Sequence, residues 1–372
     1  MMRCAQAATI DQPTRFDHSL TGPLHAAQYG VSDSATASTG CAELKSTDLY
    51  MRDSGCGRNT ACMVKSIVRY GYPPLMLLGV NGAAIGLAQA PWAELWMAGL
   101  ILFAIAVSFA AEHLLPYNEQ WNDTVGDGGR DVAHAMVNEV ALLATVLVIP
   151  VLTVLSPFSV AWPAAVSFPV QVLLAVVVTD VGVTLVHMAS HRVGWLWRFH
   201  SVHHSVKRFY GFNGLMKHPL HGALELAVAT TPLLILGMPK AVAEALTVCI
   251  AVQLLLQHSN ADYRVGPLRK VLALNEGHRF HHLKWAGVGD VNFGLFTLMW
   301  DHLLHTFSYD PRRLFRADDL GIAAKPKYPV GYLAQLAEPF RASGACHFVA
   351  DADDQSARPA DGRSSATPQL GN

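Results

Sequence analysis

Charge is scarce in this chain: Asp, Glu, Lys and Arg make up 15% of its 372 residues, against about 25% in ordinary soluble domains. With a mean hydropathy of +0.26, that shortage argues against a soluble enzyme and for an integral membrane protein. A basic excess is missing too. The formal net charge is −1, which leaves no footprint for nucleic acid and excludes it as a partner. The six cysteines include no Cys-x-x-Cys, so neither a disulfide framework nor a thiolate metal site is expected. The N-terminus lacks a basic stretch followed by a short apolar one, so no cleavable signal peptide is expected and the apolar spans serve as their own insertion signals.

What is present is a series of apolar runs at about 75–90, 94–111, 139–156, 170–187, 223–237 and 240–257. Most approach the ~17 residues needed to cross a bilayer as a helix. The last two are short and joined by Gly237-Met238-Pro239, which suits either a full or a re-entrant hairpin. The expected fold is all-α, a multi-span membrane bundle. Residues 1–65, rich in Ser, Thr, Gly and Ala without periodicity, read as a disordered leader, and 341–372 as a disordered tail. Between them, 66–165 are expected to form N-terminal transmembrane helices and 166–340 a second domain that carries most of the histidines.

Counting spans puts the N-terminus, the 112–134 loop and the histidine-rich segments on one side. Short turns near Pro91, Pro163 and Lys240 fall on the other. Arg192, Arg198, Lys207, Arg208, Lys217, Arg264, Arg269, Lys270, Arg279 and Lys284 crowd the histidine side, and the positive-inside rule assigns it to the cytoplasm.

Thirteen of the 18 histidines lie between His187 and His305. Eight of them form three clusters, His187-Met-Ala-Ser-His191, His200-Ser-Val-His203-His204 and His278-Arg-Phe-His281-His282. Imidazoles at i and i+4, or i, i+3 and i+4, leave one face of a helix, so each cluster can direct several nitrogens at one region. Neutral imidazoles each keep a lone pair. An all-nitrogen donor set suits iron, zinc or copper rather than magnesium or calcium. A structural zinc site closes with four ligands, so eight or more histidines imply two metals in a cap at the membrane face.

The order His-x-x-x-His, His-x-x-His-His, His-x-x-His-His resembles the fatty acid hydroxylase and sterol desaturase superfamily of membrane di-iron oxygenases. So do the words around it: Leu196-Trp197-Arg198-Phe199-His200, His218-Pro219-Leu220, Gln257-His258-Ser259-Asn260, Asp290-Val291-Asn292-Phe293-Gly294 and Trp300-Asp301. The resemblance runs from about residue 100 to about Phe340. It implies two histidine-held Fe ions that use O2 to attack an unactivated C–H bond of a lipid, giving an alcohol or, in a desaturase, an alkene. It also implies an external electron donor, a reductase with a ferredoxin or cytochrome b5-like carrier. Hydroxylation is the favoured outcome. The rival reading is a membrane protein that stores or moves a transition metal without turnover. Ligands gathered at one face, with few ionisable groups in the spans, favour the enzyme.

Carried onto this chain, the resemblance assigns ligand roles to His187, His191, His200, His203, His204, His278, His281 and His282, then to His258. His218 is an additional ligand or lies just behind one. Asp180, a carboxylate in an apolar run two turns before His187, is expected to orient a ligand imidazole. Asp290, Asn292 and Asn260 either do the same or cap loops, and rank below it. His221 reads as an interfacial histidine, and His302 and His305 as non-ligands. Phe209, Tyr210, Phe212 and Trp285 beside Lys207, Arg208 and Lys284 read as interfacial anchors.

Overall fold

In the computed structural model, residues 60–155 and 162–341 are described; the expected leader up to residue 59 and the tail from 342 lie outside them. The helices are α1 (Thr60–Pro74), α2 (Asn81–Leu87), α3 (Ala93–Leu114), α4 (Gly128–Leu155), α5 (Phe168–Arg192), α6 (Gly194–His204), α7 (Pro219–Ile235), α8 (Lys240–Gln257), α9 (Asn275–His281), α10 (Met299–Leu303) and α11 (Tyr332–Ala337). Among the described residues β pairing is confined to two isolated bridges, Pro116 with Ala261 and Leu272 with Thr297. The all-helical expectation holds, and among the described residues each expected apolar run falls mainly on helix.

Three of these helices, α3, α5 and α8, are long and apolar enough to cross a membrane. α7, with 17 residues, is shorter. The first apolar run is interrupted by a π-helical turn over Leu75–Val80. Pro73 and Pro74 lie immediately before it. Neither can donate a backbone hydrogen bond, and a widened turn accommodates the rings.

α8 is the central helix. It is buried nearly all round and packs against α3, α5, α2 and α4. α3 and α5 by contrast turn apolar faces outward, through Leu95, Leu102, Phe103 and Phe109 on one and Val170, Leu173, Val177 and Leu185 on the other. Such faces are stable against lipid, where close packing rather than hydrophobic drive joins helices. At the α5–α7 crossing a Cβ on Gly182 would stand 2.7 Å from Ala229 Cα, so only glycine permits this approach. Exposed Trp92 and Trp195 lie near helix ends, as interfacial aromatics do.

The ends alternate as the span count requires. Lys240 at the start of α8 pairs with Glu94 at the start of α3. At the other end Glu112 of α3 accepts from the Gly211 and Asn260 N–H groups. There the Tyr210 hydroxyl donates to Asp131 of α4 (2.7 Å), and Arg69 of α1 pairs with Asp262 beyond α8. Onto this end fold α6, α9, α10, α11 and their loops. Cys249 is a free buried thiol, but Cys62 is disulfide-bonded. This departs from the expectation of no disulfide framework, which rested on the absence of a Cys-x-x-Cys spacing.

Candidate metal centre

Two groups of histidines meet where α5, α6, α8 and α9 converge. His187, His191, His200, His204 and His281 form one; His203, His258, His278 and His282 form the other. All nine are buried, and within each group the nitrogens lie within 4.8 Å of one another. The first cluster, His187 and His191, stays whole in the first group, whereas the other two are divided between the groups. On a helix the i+3 and i+4 positions diverge by about 100°. His200 and His204 therefore enter the first group while His203 turns to the second. His278 and His282 enter the second while His281 turns to the first. The groups touch through stacked rings, His204 on His282 at 4.6 Å and His278 on His281 at 4.8 Å.

Hydrogen bonds on the far side of the rings set the tautomers. The Nδ1–H of His187 donates to the Phe293 carbonyl (2.9 Å), that of His203 to Met216 (3.0 Å), that of His281 to Val291 (2.9 Å) and that of His258 to Leu254 (3.1 Å). His191 Nδ1–H donates to Asp290 Oδ1 at 2.8 Å. A carbonyl can only accept, so the proton is on Nδ1, and a neutral ring then keeps its lone pair on Nε2.

Those Nε2 atoms face one another. In the first group the separations are 2.8 Å for His187 and His281, 3.1 Å for His191 and His204 and 3.0 Å for His200 and His204. In the second they are 3.2 Å for His203 and His258, 3.0 Å for His258 and His278 and 3.1 Å for His278 and His282. Lone pairs that close repel unless a cation lies between them. Adjacent nitrogens on an octahedron with bonds of about 2.1 Å stand about 3.0 Å apart. The donor set therefore fits a pair of transition-metal ions. Burial acts in the same sense: it holds His200, His203, His204, His278, His281 and His282 well below the usual histidine value, helped by neighbouring imidazoles, and pushes His258 down to about 3. Rings kept neutral are rings ready to ligate.

The remaining candidates divide. Asp290 touches a cage histidine directly and also accepts from the Gly287 N–H (3.0 Å), so it outranks Asp180. Asp180 reaches no imidazole. It accepts from the N–H groups of Leu295 (3.1 Å), Phe296 (2.7 Å) and Thr297 (3.4 Å), the Thr297 hydroxyl (2.7 Å) and Trp300 Nε1 (2.9 Å). It thus anchors the segment whose Phe293 carbonyl orients His187. Asn292, left-handed at φ 55°, donates to the Gly277 and Ser308 carbonyls; Asn260 ties the end of α8 to Asn118 and Asn122. Both hold loops. His218 stays outside both groups. Its ring accepts from the Leu220 N–H at 3.1 Å and caps α7. His302 and His305 also lie outside them.

Two readings need correction. Phe209 is fully buried, flat on His258 at 5.4 Å and edge-on to His282 at 5.3 Å, and Tyr210 is buried against Asp131. Neither is an interfacial anchor, because the 205–218 loop folds back under the cap. His221 is buried as well. Ser190 Oγ donates to the Val186 carbonyl (2.7 Å), so His221 Nε2–H donates to Ser190 (2.9 Å), and the rings of His221 and His200 are 4.6 Å apart. Sequence reasoning also passed over Glu112 and Glu225, and counted Lys217 only among the basic residues of the histidine side. Glu112 carried the same signal as Asp180, a carboxylate in an apolar run.

Residues 172–306 match the fatty acid hydroxylase family model, a segment that contains every histidine of both groups. The chain is 32% identical over 282 residues to the ornithine lipid hydroxylase OlsE of Rhizobium tropici, covering 73% of this chain and 84% of that protein. It is 28% identical over 138 residues to an alkylglycerol monooxygenase of Danio rerio, covering 36% of this chain and 30% of that one. A Caenorhabditis elegans alkylglycerol monooxygenase is 25% identical over 121 residues, 32% of this chain and 24% of its own length. No solved structure matches. The extent of the likeness to the Rhizobium protein, together with histidine clusters that fall within the family segment, makes this chain a member of the fatty acid hydroxylase family.

Proposed function

We propose that this protein is a membrane di-iron hydroxylase that inserts one oxygen atom from O2 into a C–H bond of a polar lipid. The observation that carries the reading is the pair of histidine groups whose Nε2 lone pairs converge at about 3 Å. The balance is R–H + O2 + 2 electrons + 2 protons giving R–OH + H2O. Iron held there supplies oxygen activation. The electrons come from a reductase through a ferredoxin or cytochrome b5-like carrier. His187, His191, His200, His204 and His281 are proposed to hold one ion and His203, His258, His278 and His282 the other. Asp290 and the carbonyls of Phe293, Met216, Val291 and Leu254 keep the rings in their ligating tautomer. Phe209, Trp197 and Phe293 wall the cage with aromatic surface. The basic residues of the cap support a cytoplasmic orientation for it.

Hydroxylation is preferred to desaturation because the matched relatives are named as hydroxylases or monooxygenases. The test is lipid mass spectrometry on cells expressing the wild type or His203→Ala, each with a matching electron-transfer pair. A lipid gaining one oxygen atom only with the wild type supports the reading. Loss of two hydrogens would make the enzyme a desaturase, and lipid oxidation that survives His203→Ala would overturn the assigned site.

A further inference from the structure

The histidine cage opens into a small pocket, lined by His258 and His278 as well as by the groups named below, whose two charged side chains the metal reading leaves unexplained. One side is apolar, formed by Val183, Leu254 and Leu295; another presents Lys217 and Glu225 next to His187, His200 and His203. It has room for about one water, so a larger group enters only as the ion pair on its wall opens. Lys217 Nζ donates to Glu225 Oε2 at 2.5 Å, with the side chains 15% and 7% exposed. Glu225 Oε1 stands 3.8 Å from His221 Nδ1, an atom that is buried without a hydrogen-bond partner. Lys217 itself is held by its backbone, whose carbonyl accepts from His134 Nδ1 (3.0 Å) and Asn138 Nδ2 (2.9 Å).

A buried ion pair is a poor stabilising device, since desolvation offsets its attraction. Ionisable groups set among apolar helices more often mark the path of a substrate. An ammonium has three hydrogens, and Lys217 directs one to Glu225. A sterol or alkyl chain entering here would have to separate the pair or bury it unrelieved. A headgroup carrying both a carboxylate and an ammonium would instead exchange partners, its carboxylate meeting Lys217 and its ammonium meeting Glu225 and His221 Nδ1. The ion pair then opens without leaving either charge alone.

We propose that the Lys217–Glu225 pair, assisted by His221, reads the headgroup of the lipid and selects one that is zwitterionic. The headgroup rather than the acyl chain is thereby placed beside the histidine cage. The reaction at that position rests on the hydroxylase reading; the recognition does not.

The experiment uses the full-length, iron-loaded protein in lipid nanodiscs, with iron content measured for each sample. Two probes are titrated by native mass spectrometry: an ornithine lipid, whose headgroup carries a free carboxylate and a free ammonium, and an alkylglycerol lipid, which carries neither. The wild type is expected to favour the ornithine lipid at least tenfold. Lys217→Met and Glu225→Gln should each reduce that preference to under threefold with iron content unchanged, and Lys217→Arg should retain most of it. Equal binding of the two lipids by the wild type overturns the proposal whatever the variants do, as does full preference in iron-replete Lys217→Met. Turnover in the same samples separates the two ideas. Oxidation of the alkylglycerol lipid alone leaves the hydroxylase standing and refutes headgroup selection. Pair-dependent binding of the ornithine lipid with no lipid oxidised does the reverse.

Discussion

Replacing Asp180 with Ala removes a carboxylate that serves five donors at once. Asp180 is 2% exposed, so the stranded donors gain little water in return. The Leu295 and Phe296 N–H groups lose their acceptor, as do the Thr297 hydroxyl and Trp300 Nε1. Each buried donor left unsatisfied costs about 1–3 kcal/mol. Four short contacts at the low end, with the 3.4 Å bond from the Thr297 N–H discounted, give a loss of about 4–6 kcal/mol. For a chain of 372 residues that corresponds to a melting temperature lower by roughly 5–8 °C. Asp180→Asn is a sharper probe. It keeps one acceptor oxygen but turns an NH2 toward the Thr297 hydroxyl and Trp300 Nε1, both donors. The Thr297 hydroxyl can rotate to accept, whereas the indole cannot, so a drop of about half the alanine value is expected. The 293–300 segment also presents the carbonyl that orients His187, so Asp180→Ala should release metal from the first group before the second. Scanning fluorimetry in detergent, paired with metal analysis along the thermal ramp, reads both quantities. A melting temperature within about 3 °C of the wild type would refute the anchoring argument, and metal lost first from the second group would refute the link to His187.

Asp290→Ala should weaken metal binding by about 10–100-fold at one site only, because its partner His191 belongs to the first group; competitive chelator titration would show one weakened and one unchanged step. His258→Ala should abolish the second site, whereas His218→Ala should keep both metals and cost about 1 kcal/mol through loss of the α7 cap; metal stoichiometry and thermal stability distinguish the two. Acid should destabilise the metal-free protein steeply. The folded pKa values of the seven cap histidines are depressed, so above about pH 6.5 both folded and unfolded rings are neutral, and below it the unfolded chain binds protons that the folded one refuses. Each contributes a loss of about 1 kcal/mol between pH 6.5 and 5.5. A metal-free melting temperature flat across that interval would contradict the buried neutral cage.

The histidine spacing made the donor set legible because a helix repeats: positions four apart must share a face, and the cap histidines of α6 and α9 obey that rule. The same 3.6-residue period, followed one step further, divides both of those clusters, since His203 and His281 sit about 100° round from His204 and His282. That division was implicit in the spacing, and it needed only two opposed helices to become two centres. Composition likewise made the spans legible, since apolar runs of that length have few other uses. What the sequence withheld depends on loops crossing between helices. Asp180 lies on the right face for His187, yet its acceptors are spent on residues 295–300, more than a hundred positions away. Asp290, in a loop without periodicity, reaches the imidazole instead. Phe209 and Tyr210 beside Lys207 and Arg208 have the composition of an interface. Only the return of the 205–218 loop to Asp127 and Asp131 of the 127–131 segment, through Arg208 at 2.9 Å and Tyr210 at 2.7 Å, buries Phe209 against the cage and Tyr210 against Asp131. Lys217 and Glu225 illustrate the same limit from the other side. Eight residues separate them, one in a loop and one on α7, and no local pattern marks two opposite charges as partners. Helical periodicity thus located eight of the nine histidines proposed to hold metal, His258 coming from the resemblance, while the residues proposed to orient ligands and choose the lipid are set by contacts that carry no sequence period.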